Sequence, residues 1–472
     1  MNCNRFQSAV TRREMLQSSA GGFGSLALAA MAGGSPASSL ARTPGPTPAL
    51  TPHFKPRAKR IIFLFMWGGP SHVDIWDPKP KLNEHAGKQL NGKDVGSDRD
   101  KLGALLGSPF KFAQHGQSGL VMSELQPQLS RHADKLCVVR SMHTNGTAHG
   151  EALLWLHTGA ANLVRPSVGA WVSYGLGCES DNLPAFVTIS PPRGHGGVQN
   201  YGSSFLPAIH QGTAIGSAEI PVKQASLPNL ANPRIKRDLQ QSQLDLVQSL
   251  NRDHLKQTQG DPAIEGLIGS YELAYRMQST VPRIMSLDDE SQATRDLYGI
   301  DQDPTDNLGR QCLLARKFAE QGVRYIQVST DYTWDHHQKV KEGSVKECAK
   351  SDKPIAGLLT DLEQRGLLDD TLVLWGGEFG RTPMAENTHG RNHHPQGFTV
   401  WMAGGGVKKG FTYGATDDFG YAPVDKPTHM HDLHATLLHA LGMDHLRLTH
   451  RHAGRDFRLT NIYGNVAHGV FG

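Results

Sequence analysis

Short apolar runs recur along the chain from Arg60 onward, at residues 61–67, 136–139, 185–189, 325–328, 371–375 and 398–403. Each has the length of a strand and is close to continuously apolar, which predicts strands buried on both faces of a sheet. Helical spacing falls between them. Residues 307–321 carry Leu308, Cys312, Ala315 and Phe318 and stop at Gly322, and residues 354–365 carry Ile355, Leu358, Leu359 and Leu362 and stop at Gly366. Each of these patterns leads into a strand, and the alternation predicts an open, largely parallel α/β sheet with helices on both faces. Residues 235–279 read as mostly helical and polar, a cap or an edge cover, and no internal repeat is found.

Ahead of this body, Arg12-Arg13 precede a Gly/Ala-rich apolar segment, residues 20–32, that ends in Ala30-Met31-Ala32. This reads as a twin-arginine export signal over residues 1–32, and the mature chain is expected to be periplasmic or secreted. The segment is shorter than the roughly 20 apolar residues of a membrane span. Residues 33–59 are rich in Pro, Ser, Thr and Ala and read as a linker, leaving 60–472 as the α/β domain with a helical insertion near 235–279. No later run approaches spanning length, so no membrane span is expected in the mature chain.

Composition narrows the class. A chain of 472 residues, 38% hydrophobic and 19% charged, can bury a large core, which excludes a disordered or fibrous protein. The net charge of +4 is small and the basic residues are scattered, so nucleic acid is not an expected partner. Five distant cysteines, Cys3, Cys137, Cys178, Cys312 and Cys348, form neither a disulfide framework nor a CxxC zinc motif.

Polar clusters follow four of the apolar runs. After 61–67 come Ser71, His72 and Asp74; after 136–139 come His143, Asn145, Thr147 and His149; after 325–328 come Asp331, Asp335, His336 and His337. The stretch 375–398 then holds Glu378, Arg381, His389, Arg391, His393 and His394. Loops from several strands converge at the carboxyl edge of an open α/β sheet, so four clusters at one expected edge indicate a metal or anion site. Asp335 and His337, two apart in a loop, can reach a common point, and His393 can join them from another connection. Mixed His and carboxylate sets suit Zn or Mn, and an oxygen-only set Ca or Mg. Arg381 and Arg391 present forked donors that suit phosphate or sulfate, with a salt bridge to a neighbouring carboxylate as the alternative. There is no HExxH, P-loop or GxSxG elbow.

Together with the leader, the stretches "GGPSHVDIWDPKP" (68–80), "WDHH" (334–337), "GGEFGRTP" (376–383), "GRNHHP" (390–395), "GGGVKKG" (404–410), Thr416-Asp417 and "DLHATLLHALG" (432–442) resemble the bacterial family DUF1501, grouped as sulfatase-like within the alkaline phosphatase superfamily. The resemblance runs to about residue 454. It implies an alkaline-phosphatase-like three-layer α/β/α sandwich, one or two divalent metals held by Asp and His from strand ends, and a Ser, Thr or formylglycine nucleophile acting on phosphorus or sulfur. Residues 145–159 resemble the nucleophile segment through Thr158-Gly159, but no Cys lies there to become formylglycine. Glu378-Phe379 stands where the superfamily usually has Asp-His, and Asn392 where the family more often has Asp.

The roles expected are these. Asp335, His337, Glu378 and His393 ligate a divalent metal, with His72 and Asp74 contributed by the first strand's loop. His149 is a ligand or general acid, and Thr147 the candidate nucleophile, with ion-activated water as the alternative. Arg381 and Arg391 neutralise charge on the transferred group. His434 faces either the site or the core, and His336 and His394 are bystanders or orienting groups. The expected function is an exported, metal-dependent hydrolase whose partner is an anionic ester or a sulfated or phosphorylated polymer. The alternatives are a non-catalytic protein that holds an anionic glycan or surface polymer on the same fold, and a structural envelope protein.

Overall fold

The computed structural model describes residues 51–99, 101–225, 235–257, 262–387 and 389–472. The expected leader and most of the linker lie outside them. Every apolar run forms a strand: β1 Arg60–Phe65, β2 Leu136–His143, β3 Phe186–Ile189, β5 Tyr325–Ser329, β6 Thr371–Gly376 and β7 Phe398–Ala403. Three short strands escaped the sequence pattern: β4 Thr213–Ile215, β8 Phe411–Tyr413 and β9 Thr428–His429. They are two or three residues long, too short for an apolar run to stand out. Among the described residues these nine strands make one sheet in the order β8-β2-β7-β6-β1-β5-β3-β4, with β9 also beside β2. All run in one direction except β7, which is antiparallel to both β6 and β2.

The continuous apolar runs are explained by two cores, one on each face. In β1, Ile62 and Leu64 join one core with Val328 of β5 and Val373 of β6, whereas Ile61, Phe63 and Phe65 join the other with Leu372 and Leu374. Alternate side chains of a strand point to opposite faces, so neither face can be polar. The first core is closed by α6 (Asp306–Glu320) and α7 (Val340–Gln364), through residues such as Cys312, Phe318, Ile355 and Leu359. The second is closed by α2 (His149–Thr158), α3 (Val168–Leu176) and α8 (Met430–Ala440), through Leu153, Leu156, Trp171, Val172 and Leu437. The three-layer α/β/α sandwich expected from the sequence is therefore present.

The helical insertion consists of α4 (Arg237–Gln257) and α5 (Pro262–Met285), of which α5 sends Met277, Val281 and Ile284 into the first core. The helix expected at 354–365 begins much earlier, at Val340, and Pro354 lies inside it. Its first half is polar and hides the periodicity, yet Glu347 is buried there, held by Lys350 at 2.9 Å and by the Thr333 hydroxyl at 2.6 Å. Packing outweighs the missing proline N–H. Among the described residues no helix is long and apolar enough to cross a membrane.

Cys137, Cys178, Cys312 and Cys348 are all free thiols. A thiol reductant is therefore expected to leave the melting temperature unchanged, and a drop of several degrees in a thermal melt would contradict the structure.

Candidate metal centre

Since β1, β2, β5 and β6 run the same way, their carboxyl ends share one edge, and the loops leaving it carry the four polar clusters. His149 opens α2 after β2, and Asp335 and His337 follow β5. His393 sits on a small two-stranded ladder, Gly380–Arg381 against His393–His394, between β6 and β7. One ligand atom from each of His149, Asp335, His337 and His393 lies within 4.8 Å of all the others. The Nε2 atoms of His337 and His393 are 2.8 Å apart. Asp335 Oδ1 is 3.0 Å from His337 Nε2 and 3.3 Å from the Nε2 atoms of both His149 and His393.

An oxygen orients each imidazole from behind. Glu378 Oε1 is 2.6 Å from His149 Nδ1, the Thr147 carbonyl is 2.9 Å from His393 Nδ1, and Glu386 Oε2 contacts His337 Nδ1. A carbonyl or carboxylate oxygen can only accept, so each Nδ1 is the N–H donor and, when the ring is neutral, each Nε2 is left as an acceptor. Three acceptor nitrogens and a carboxylate oxygen thus face one point, which is repulsive unless positive charge sits among them. Ligand atoms around a tetrahedral ion with bonds of about 2.0–2.1 Å stand about 3.3 Å apart, close to the spacings here. His149 Nε2 is buried without a hydrogen bond, although it lies within ion-pair range of Asp335. The residues fit a divalent ion.

The electrostatics favour an ionised carboxylate at the centre of the group. Burial opposes charge on Asp335, but His149, His393 and Arg381 outweigh it and hold the carboxyl far below its ordinary range. Burial likewise lowers the pKa of His149, and Asp335 and Glu378 overcome it, leaving the net value raised. The Tyr332 hydroxyl donates to Asp335 Oδ2 at 2.8 Å, and the Arg381 guanidinium donates to Oδ1.

Three expected ligands lie elsewhere. Glu378, wholly buried, stands behind His149 and also accepts the Gly68 N–H at 3.0 Å. It is not one of the converging group. The loop after β1 approaches through its backbone: Gly68 has φ 121°, and a Cβ there would lie 2.7 Å from the Asp335 nitrogen. That turn carries the chain into the short helix α1's residues, His72–Ile75, where His72 Nε2 contacts the Gly420 carbonyl at 2.8 Å. Asp74 is buried against Arg391, whose Nε and Nη2 lie 2.8 and 3.1 Å from its two oxygens. Neither His72 nor Asp74 is among the four converging residues; Asp74, as a buried carboxylate, has Arg391 as its countercharge.

The two arginines expected to meet a transferred group have internal partners. Arg381 and Arg391 are fully buried. Arg381 donates to Asp335 and to the carbonyls of Gly68, Gly69 and Arg391; Arg391 donates to Asp74 and to the carbonyls of Thr382 and Leu106. Thr147 is exposed and lines a cavity of about 520 Å³ with His393, Arg99, Asn392, Gln396 and Tyr421. His434 faces the core, its Nε2 bonding the Leu156 carbonyl at 2.8 Å. His336 is buried with its pKa lowered to about 4 by burial, and His394 Nε2 is tied to the Tyr421 carbonyl.

Sequence reasoning missed Glu386, Tyr332 and His195. Glu386 lies inside the cluster-rich stretch and was visible only as one more carboxylate. His195, at φ 48°, stacks on His149 with centroids 5.4 Å apart and meets Trp67 and Tyr332 edge-on. Its only signal was a histidine among glycines in 194–197, a loop with no periodic pattern.

Comparison with solved structures places this chain beside the lipoteichoic acid synthase LtaP from Listeria monocytogenes, with 9% identity, 87% of this chain and 77% of that one covered, and a TM-score of 0.39. The phosphonate monoester hydrolase SpPMH from Silicibacter pomeroyi matches at 11% identity over 81% of this chain and 73% of its own, TM-score 0.36. The PsFucS1 sulfatase from Pseudoalteromonas sp. matches at 11% over 82% and 68%, TM-score 0.37. At identities this low, none of their activities transfers to this chain. No curated protein matches it significantly. The family model described as "Protein of unknown function (DUF1501)" matches residues 58–471, from just before β1 to the end of the second core, and the chain accordingly belongs to that family.

Proposed function

We propose that this protein is an exported, metal-dependent hydrolase of phosphate or sulfate esters. The observation that carries the reading is the convergence of four acceptor atoms, from His149, Asp335, His337 and His393, at the carboxyl edge of the sheet and beside a cavity of about 520 Å³. These four residues would hold the ion. A divalent ion there supplies Lewis acidity toward an ester oxygen and neutralises its charge. The protein's own groups prepare the centre. Glu378, Glu386 and the Thr147 carbonyl fix the three ring orientations, Tyr332 and Arg381 fix Asp335, and such orienting partners keep the ligands basic and correctly aimed. Thr147, on the cavity wall next to His393, is the nucleophile candidate of this reading. Arg99 is the one lysine or arginine side chain among the described residues lining that cavity, and it would meet the anionic part of the substrate.

Purified protein is expected to contain a divalent ion and to turn over members of a panel of aryl phosphates, phosphodiesters and sulfates, with loss on chelation and recovery with Zn or Mn. Absence of both metal and turnover overturns the proposal. A second reading, a protein that holds an anionic glycan without turnover, is favoured by one observation: Arg381 and Arg391, the arginines that would neutralise a transferred group, donate only inside the protein. Metal without turnover of any ester, with retention of a sulfated glycan, would select it.

A further inference from the structure

At the far end of α2 from the metal centre lies a basic surface. His149 is the first residue of this ten-residue helix and Thr158 the last, so the two ends are about 15 Å apart. Beside Thr158, the strand His450–His452 pairs with Arg455–Phe457 in an antiparallel hairpin, and Arg165, Phe205, Phe457 and Arg458 line a small depression. Between Arg447 and Arg458 the chain carries four arginines against one carboxylate, Asp456, in a protein whose whole net charge is +4. Arg165 joins them in space. Arg451 pairs with Asp456 at 3.1 Å at the exposed rim. Arg455 and Arg458 donate to the side-chain oxygen and the carbonyl of Asn461, which are neutral, and neither has a carboxylate within salt-bridge distance among the described residues. The chain-wide count hides this concentration.

The aromatic residues here position the cations. The guanidinium carbons of Arg165 and Arg455 lie 4.4 and 4.9 Å from the Phe457 centroid, and Phe205 stacks on His452 at 4.9 Å with 16° between planes. A nucleobase needs a bare ring face on which to stack, and these rings are already in contact with protein groups. Guanidinium forks held over rings are suited to the tetrahedral oxyanions of sulfate and phosphate esters.

We propose that this hairpin is a non-catalytic binding surface for an anionic glycan chain, engaging its sulfate or phosphate groups at a distance from the metal centre. The choice of glycan rests on the ester chemistry proposed above; the surplus of positive charge does not. A second contact on one polymer raises the local concentration of its esters at the catalytic edge.

The test compares the full chain with Arg447→Ser/Arg451→Ser/Arg455→Ser, titrating dextran sulfate, neutral dextran and single-stranded DNA at about 0.15 M salt. The triple variant should bind dextran sulfate on the order of tenfold or more weakly, with a shallower salt dependence, and neither protein should bind neutral dextran. Melting temperature, metal content and turnover of a small aryl ester should be unchanged, because none of the three side chains belongs to the centre. If the triple variant melts lower, Arg447→Ser/Arg451→Ser, both at exposed positions, carries the comparison. Equal dextran sulfate affinity in variant and parent overturns the proposal. So does variant-sensitive binding of single-stranded DNA as tight as that of dextran sulfate, which would make the surface a nucleic-acid site. Polymer binding and small-ester turnover are read separately, so failure of the hydrolase reading and failure of the hairpin leave different results.

Discussion

His337→Ala and His393→Ala are each expected to strip the protein of its divalent ion, and the double variant to lose little more. The two Nε2 atoms stand 2.8 Å apart with Asp335 Oδ1 at 3.0 and 3.3 Å, so each ring contributes to the same point. Removing one ligand of four leaves a group that no longer closes around the ion, and residues acting as one unit are not additive. Even an orienting partner is typically worth about 10–100-fold in metal affinity, which is the loss expected for Glu386→Gln; direct ligands should cost more. Ligation requires neutral imidazole. Burial lowers the pKa of His149, but Asp335 and Glu378 outweigh it and hold it above its ordinary value, so protonation of this ring opposes metal uptake as pH falls. His336→Ala is the internal control, since that ring is outside the converging group, and it should retain the ion. The measurement is elemental analysis after dialysis against a weak chelator. Full occupancy in both His337→Ala and His393→Ala would dismiss the shared centre.

The largest loss of stability is expected from Arg391→Ala. Arg391 and Asp74 are each fully buried, and their forked pair is the carboxylate's only countercharge within salt-bridge distance among the described residues. Removing one partner of a buried pair leaves an uncompensated charge and typically costs about 3–5 kcal/mol. The double variant Arg391→Leu/Asp74→Ala should recover part of that, because it is the orphaned charge that destabilises. The pH dependence follows from the pair. Burial raises the pKa of Asp74, and the charge and hydrogen bonds of Arg391 outweigh it, so the folded value is depressed. A depressed carboxyl contributes stability that is complete above its unfolded value near ~3.9 and is lost as pH falls through the folded value. Arg391→Ala should therefore show a smaller further loss between neutral and acid pH than the parent does. Denaturant melts at both pH values check this, and a change below about 1 kcal/mol at neutral pH would show that the pair is not structural in the way described.

The sequence by itself located six of the nine strands and the class of sheet. Burial on both faces writes itself into composition, as in Thr371–Gly376, where every residue must be tolerated by one core or the other. It also placed the four polar clusters at one edge, because parallel strands share a direction and their outgoing loops must meet. It chose Asp335, His337 and His393 as partners, and carried His149 as a ligand or acid. The tertiary structure decided the rest. Glu378 and His149 are both ligand types, and only the 2.6 Å contact between them, across 229 positions of sequence, puts the histidine in front and the carboxylate behind. Asp74 and Arg391 are equally ambiguous in sequence, where a ligand and a salt-bridge partner use the same atoms; burial of both, 317 positions apart, makes them scaffold. The polar first half of α7 and the two- and three-residue edge strands were invisible for a related reason. Periodicity reports how a segment meets a continuous core, whereas buried Glu347 is held by Lys350 and the Thr333 hydroxyl, and Thr428–His429 by pairing with β2, contacts that leave no repeat along the chain.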